Sequence, residues 1–309
     1  MGCANEDAIK QFQSLMEEVD EPLKQTFKNM HQGYLTETLA RFLKAREWDL
    51  NKAHKMLVDC LTWRMENEID NILAKPILPT DLYRVIRDTQ LVGLSGFSKE
   101  GLPVVAVGVG LSTFDKASAV DYVHSHIQMN EYRDHVILPL ASKSYARPIT
   151  TCLKVLDMTG LKLSALNHLK LLTVISSIDD LNYPEKTETY YIVNAPHIFS
   201  ACWKVVKPLL HERTRKKIQI LQGSGREELL KVMDYDSLPH FCKNEGSGSS
   251  SPWRMNGTTT NNCFSLDHPF HQQLYNYVKE QASSTDFVSL IKREPFHSDS
   301  VDGRDIKIN

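Results

Sequence analysis

Apolar residues recur at helical spacing through the first third of the chain. Ala8, Ile9, Phe12, Leu15, Met16 and Val19 fall on one face of a 3.6-residue period and predict a first amphipathic helix. Leu39, Phe42 and Leu43 predict a second, with Thr36 placed to cap its start. Ala53, Met56, Leu57, Cys60 and Leu61 share the face of a third, capped by Asp49. Helices that each carry one apolar stripe bury it against one another, so a small bundle is expected.

The period then changes. Short β-branched runs occur at residues 103–109, 152–158, 189–195 and 217–221. Helical patterns lie between them, at roughly 115–138, 163–178 and 198–210. Strands alternating with helices imply crossover connections and a mostly parallel sheet. The expected fold is α/β. It has a helical N-terminal subdomain over 1–75, a sheet domain flanked by helices over 76–244, and a polar tail over 245–309. The tail begins as a Gly-, Ser-, Asn- and Thr-rich linker too polar to order itself. Beyond the linker, Phe270, Leu274, Tyr277 and Val278 predict one amphipathic helix. Docking on its own domain is favoured over a partner or a membrane.

Composition narrows the function. The 309 residues are 41% hydrophobic and 24% charged, ordinary for a globular protein. The net charge of −2 argues against a general nucleic-acid binder but leaves room for a basic patch facing a membrane. No run of about 18 apolar residues exists to span a bilayer, and the start lacks a signal peptide's apolar stretch. Membrane contact is therefore expected to be peripheral, from the cytoplasm. Six scattered cysteines without a C-x-x-C pair read as reduced thiols, with no zinc site. Met1-Gly2-Cys3 invites myristoylation, but Glu6 stands where the pattern wants Ser or Thr, so an unmodified start is expected.

Catalytic signatures are missing. His124 and His126 are two apart on a predicted helix and face different ways, against a metal site. Gly108-Val-Gly110 has no third glycine, and there is no nucleophile elbow or P-loop. Asp157, Asp179 and Asp180 read as solvated or capping acids. No catalytic residue, cofactor or metal is assigned.

Three ordered segments carry a resemblance. The first is Leu39-Ala-Arg-Phe-Leu-Lys-Ala-Arg-Glu-Trp-Asp49, followed by Trp63-Arg64. The second is Asp180-Leu-Asn-Tyr-Pro-Glu-Lys186, then Tyr191-Ile-Val-Asn-Ala-Pro196. The third is Lys207-Pro-Leu-Leu210, leading to Thr214-Arg-Lys-Lys-Ile218 and later Leu238-Pro239. Together, over residues 30–243, they resemble the CRAL-TRIO lipid-binding family, in its phosphatidylinositol/phosphatidylcholine transfer branch (Sec-fourteen-like proteins). The resemblance implies a helical subdomain, an α/β domain enclosing a lipid cavity, and a mobile gate helix. It implies a non-enzymatic carrier, expected to be monomeric, that moves phosphatidylinositol between membranes or presents it to a lipid kinase.

The resemblance also implies a headgroup site. Its positions here are Glu185, Thr214 and Lys217, with Arg46 contributing; the next position, often Lys, is Glu47. A cation and a hydroxyl suit a phosphate diester, and a carboxylate suits inositol hydroxyls. Each residue has an ordinary alternative. Arg46 could pair with an acid between helices, Glu185 and Thr214 could cap a helix and a turn, and Lys217 could belong to a solvated basic run. Arg215 and Lys216 of that run could aid membrane docking.

The second lipid site departs from the family pattern. The strand hydroxyls expected for phosphatidylcholine are Cys152 and Lys154 here, and the two tyrosines are Leu94 and Val105. Alternation puts Cys152, Lys154 and Leu156 on one strand face. Lys154 there either meets an anionic or carbonyl-bearing ligand or snorkels to the pocket mouth. The second ligand is thus another lipid or hydrophobe; a sterol, tocopherol or retinoid carrier is the competing reading. The gate is expected at Phe199, Cys202, Trp203, Val206 and Leu210.

Overall fold

A computed structural model describes residues 3–243 and 262–284. The expected linker at 245–261 and the Met1-Gly2 start lie outside the described residues. Four helices open the chain: α1 (Cys3–Glu17), α2 (Glu21–His31), α3 (Leu35–Ala45) and α4 (Leu50–Glu66). They bury one continuous apolar cluster that includes Phe12, Met16, Phe27, Leu39, Phe42, Leu43, Leu57 and Leu61. Asp49 caps α4 as expected, its carboxylate accepting the Lys52 amide at 3.0 Å. Thr36 caps nothing: α3 already starts at Leu35, behind Tyr34, without a side-chain cap. The sequence pattern missed α2, whose apolar positions are sparse.

After α5 (Thr80–Thr89) comes the sheet, in spatial order β1-β2-β3-β4-β5. β1 (Val92–Phe97) pairs antiparallel with β2 (Pro103–Gly108). β3 (Cys152–Asp157), β4 (Thr187–Val193) and β5 (Ile218–Ile220) continue in parallel. The α/β reading with a mostly parallel sheet is correct, and β1, broken by two glycines, is the strand the pattern missed.

The connections are α6 (Ala119–Tyr132), α7 (Leu138–Ser144), α8 (Leu169–Asn182), α9 (Phe199–Val206) and α10 (Glu212–Lys216). Two short helices, α11 (Arg226–Val232) and α12 (His240–Lys243), precede the tail helix α13 (Pro269–Ser284). A Ser118–Asp121 capping box starts α6. One π-helical turn, Arg133–Ile137, joins it to α7 and re-aims its side chains.

α13 docks on the domain, as favoured. Phe270, Leu274 and Val278 bury themselves among Ile69, Ile72, Val123, Ile127 and Tyr132. The segment leading into it presses so close to β1 that any Cβ at Gly93 would strike the Cys263 carbonyl.

A buried charge network joins the bundle to the sheet domain. Arg64 of α4 donates to Asp70 and, with two nitrogens, to Glu131 of α6 at 2.8 and 2.9 Å. The Tyr183 hydroxyl donates to the same carboxylate at 2.6 Å. Burial opposes the charge of Glu131, but Arg64 holds its carboxyl well below the usual range.

Candidate functional site

The polar pocket is built where α8 hands over to β4. α8 runs four residues beyond its predicted end, which places Asp179 and Asp180 on its last turn. The turn after it holds Glu185 at φ +58°, a left-handed conformation that costs a non-glycine residue on the order of 1–3 kcal/mol. The opposite wall is α10. Its basic run splits by helical spacing: Arg213, Thr214 and Lys217 turn inward, while Arg215 and Lys216 stay exposed.

Three of the four expected headgroup residues therefore meet. Lys217 Nζ donates to Glu185 Oε2 at 2.6 Å and to the Thr187 carbonyl at 2.8 Å. Arg213 Nε lies 3.5 Å from Glu185 Oε1, and its Nη2 is 3.4 Å from Asp180 Oδ1. The Thr214 hydroxyl reaches Asp180 Oδ1 at 3.5 Å. Burial raises the Asp180 pKa against the pull of Arg213. Arg46 does not line this pocket. It ends α3 beside Arg213, half-buried, donating to the Ala45 carbonyl at 3.0 Å. Burial and then the Arg213 charge lower its pKa.

Behind the polar pocket lies an apolar cavity of about 260 Å³. Its walls are the β1–β3 face, α6, α8 and Phe270 of the tail helix, with Leu172, Ile175, Met129 and Val107 among the lining. Arg133, Lys154, Asp179, Asp180, Tyr190 and Thr214 line both compartments, so the two adjoin. Pockets for drug-sized ligands hold about 300–1,000 Å³. A diacyl lipid thus requires the walls to open.

Leu94, Val105 and Lys154 of the expected second-ligand set line this cavity; Cys152 does not. Cys152 is buried at the strand start, against Thr187, so the shared strand face leads out of the cavity within one pleat. Lys154 does not snorkel freely. Its Nζ is 3.5 Å from Asp179 Oδ2 and 5.7 Å from the Tyr190 ring centre. Burial would lower its pKa, but Asp179 wins and raises it. Asp179 Oδ1 also meets His126 Nε2 at 2.7 Å and accepts from Asn130 Nδ2 at 2.8 Å. Burial opposes its charge, yet His126 and Lys154 hold its carboxyl far below the ordinary range.

Of the acids expected to be solvated or capping, Asp157 caps the turn after β3 by accepting the Thr159 amide, and also accepts from Asn194, whereas Asp179 is ion-paired in the cavity wall and Asp180 meets Arg213. The histidines do diverge, His126 to Asp179 and His124 to a half-buried position where desolvation lowers its pKa to about 4. Among the described residues no cluster of His, Cys, Asp and Glu could hold a metal.

Three of the gate candidates pack together, while Val206 ends α9 and Leu210 follows a separate turn at Lys207–Leu209. Phe199 and Cys202 are buried against Met158, Leu161 and Ile192, with Trp203 stacked on Phe199 at 5.8 Å. Of the five, Leu210 lines the apolar cavity. Val205 and Leu209, on the outer side, are about half exposed.

Sequence reasoning missed Arg133. One signal was present: it sits in register with Met129 and Ile137 on the apolar stripe of its helix, where a charge needs an explanation.

Residues 87–243 match the CRAL/TRIO domain and residues 8–59 its N-terminal domain. The chain belongs to the CRAL/TRIO family. Among its CRAL/TRIO relatives is the phosphatidylinositol/phosphatidylcholine transfer protein SFH9 of Arabidopsis thaliana, 31% identical over 70% of this chain and 40% of that protein. Another is the SEC14 cytosolic factor of Eremothecium gossypii, 30% identical over 65% of this chain and 67% of that protein. The match thus spans about two fifths of the plant relative's length. The crystal structure of Sfh5 shares the fold, with a TM-score of 0.59 over 89% of this chain and 97% of that one, at 19% identity. No helix among the described residues is long and apolar enough to cross a membrane.

Proposed function

We propose that this protein binds phosphatidylinositol and transfers it between membranes, or presents it to a lipid kinase, without acting as an enzyme. The convergence of Glu185, Thr214 and Lys217 in one pocket that adjoins an apolar cavity carries this reading. The Lys217 ammonium and Thr214 hydroxyl suit the phosphate diester, and Glu185 accepts from inositol hydroxyls. Arg213 joins them, a residue the sequence placed only in a basic run. Arg46 stands at the rim, where it adds to the positive field rather than touching the lipid.

The bound phospholipid is the ligand, and no cofactor takes part. Entry swings α9 and the turn after it outward, so that Phe199, Cys202, Trp203, Val206 and Leu210 exchange their packing for a cytoplasmic bilayer surface. Exposed Val205 and Leu209, with Arg215 and Lys216 about 1 kcal/mol each near anionic lipid, make the first contact.

The test is transfer of labelled phosphatidylinositol between vesicles by wild type and Thr214→Ala/Lys217→Ala. The double variant is expected to lose about tenfold or more, since each lost charge-assisted bond is worth roughly 1.5–3 kcal/mol. Equal transfer by both proteins overturns the site. Transfer of a sterol, tocopherol or retinoid with no inositol lipid overturns the reading itself.

A further inference from the structure

Positive charge collects behind the polar pocket. Asp134 is shared by Arg133, at 2.7 Å, and Lys186, at 2.9 Å. Arg41 stands close by: burial and then the Arg41 charge push the Lys186 pKa down to about 7. Burial also pushes Arg41 down to about 10. One carboxylate therefore pairs two cations with a third close by, and charges in low dielectric demand pairing.

Arg133 is the member that reaches the lipid cavity. It is 5% exposed and lines both compartments. Its Nε donates to Asp134 and its Nη1 to Asn130 Oδ1 at 3.0 Å, while Nη2 is buried without a hydrogen-bond partner. Its guanidinium carbon lies 5.8 Å from the Tyr183 ring centre. A buried donor without an acceptor costs about 1–3 kcal/mol, more for a charged group. Lys154 lines the same two compartments, held to Asp179 by a single contact of 3.5 Å.

We propose that Arg133 and Lys154 form a second seat, where the cavity adjoins the Glu185–Lys217 pocket, for the oxyanion of a chain-bearing amphiphile. The shared chemistry is a carboxylate or phosphate on an acyl chain, as in a fatty acid or a phosphatidate. The seat rejects a quaternary ammonium. Leu94 and Val105 offer no hydroxyl or aromatic face, and the Tyr190 ring already has the Lys154 ammonium over it. The oxyanion satisfies Arg133 Nη2 and draws Lys154 from Asp179, which keeps His126 and Asn130.

This inference rests on the lipid-carrier reading but not on inositol recognition, and the test separates the two. The full chain is incubated with phosphatidylcholine vesicles doped with phosphatidate, oleate or phosphatidylinositol, re-isolated, and its lipid read by mass spectrometry. Wild type is expected to retain phosphatidate or oleate in preference to phosphatidylcholine. Lys154→Met and Arg133→Gln are each expected to reduce that retention about tenfold, the loss of one charge-assisted bond. Lys217→Ala is expected to lose the inositol lipid and keep the oxyanion lipid. Melting curves show which variants fold; should Arg133→Gln not fold, Lys154→Met decides alone.

Preferential retention of phosphatidylcholine, or oxyanion retention unchanged in Lys154→Met, overturns the seat. Displacement of the lipid by equimolar inorganic phosphate overturns the assignment to a chain-bearing source. Phosphatidylinositol transfer without oxyanion retention sinks the seat alone. The reverse result sinks the inositol reading alone.

Discussion

The polar pocket and the junction behind it use the same residue types in opposite ways. In the pocket each cation faces an acid: Lys217 meets Glu185, and Arg213 meets Asp180. At the junction Asp134 serves two cations, and a third stands nearby. The pocket sits at the surface, where water shares the work of solvating each charge. The junction is closed by α6, β3 and the bundle, so its charges depend on one another. Side-chain exposure is graded between them: Lys217 and Arg213 are 25% and 22% exposed and Glu185 14%, against 13% for Asp134, 12% for Lys186 and 7% for Arg133. A binding pocket that must trade internal partners for ligand needs contacts that are cheap to break. A junction with an unmet donor is poised for a ligand that completes it.

The largest effect is expected where the junction loses its acid. Asp134→Asn leaves Arg133 and Lys186 buried without a carboxylate, a change worth about 3–5 kcal/mol. Thermal unfolding should fall by roughly 10 °C. Asp180→Asn, on the pocket side, should cost about 1 kcal/mol or less. Equal losses would erase the contrast between the two regions.

Acid should loosen the cavity's tail-helix wall before the pocket. Burial lowers the His271 pKa to about 3, and its Nε2 lies 3.1 Å from the Cys263 carbonyl. Burial also lowers His124 and His240 to about 4 each. Folded pKa values below the unfolded 6.5 mean stability that is complete above pH 6.5 and lost as pH falls toward 4. Three such groups can contribute up to about 4 kcal/mol per pH unit. Hydrogen exchange at pH 5 should show α13 opening while β5 stays protected, and protection of α13 equal to that at pH 7 would refute this.

Lys186 gives the sharpest comparison. Its folded pKa of about 7 lies below the ordinary lysine value, so the folded state binds fewer protons than the unfolded one between about pH 7 and 10. Stability therefore rises with pH across that window. Lys186→Met should lack the rise and gain about 1 kcal/mol at pH 6, read from urea midpoints at the two ends.

Much of this architecture was legible in the chain. The 3.6-residue stripes of α1, α3 and α4 and the β-branched runs of β2 to β5 are local signals, and local signals survive without the fold. The motif residues Glu185, Thr214 and Lys217 were legible because each keeps a residue type that its chemistry requires. β1 and α2 were not, because glycines in one and few apolar positions in the other leave their stability to tertiary packing. Arg46 was placed in the site, yet its helix ends one neighbour short, beside Arg213.

The sequence by itself determined most of the helices and strands, the family pattern and the motif residues Glu185, Thr214 and Lys217, since periodicity and residue chemistry are written within a few residues of each position. Tertiary structure alone decided which charges meet. Lys154 finds Asp179 across 25 residues of sequence, and Arg64 finds Glu131 across 67. A charge's worth depends on burial and on partners brought by distant elements, so the unmet donor of Arg133 exists only once β3, α6 and α8 have closed around it.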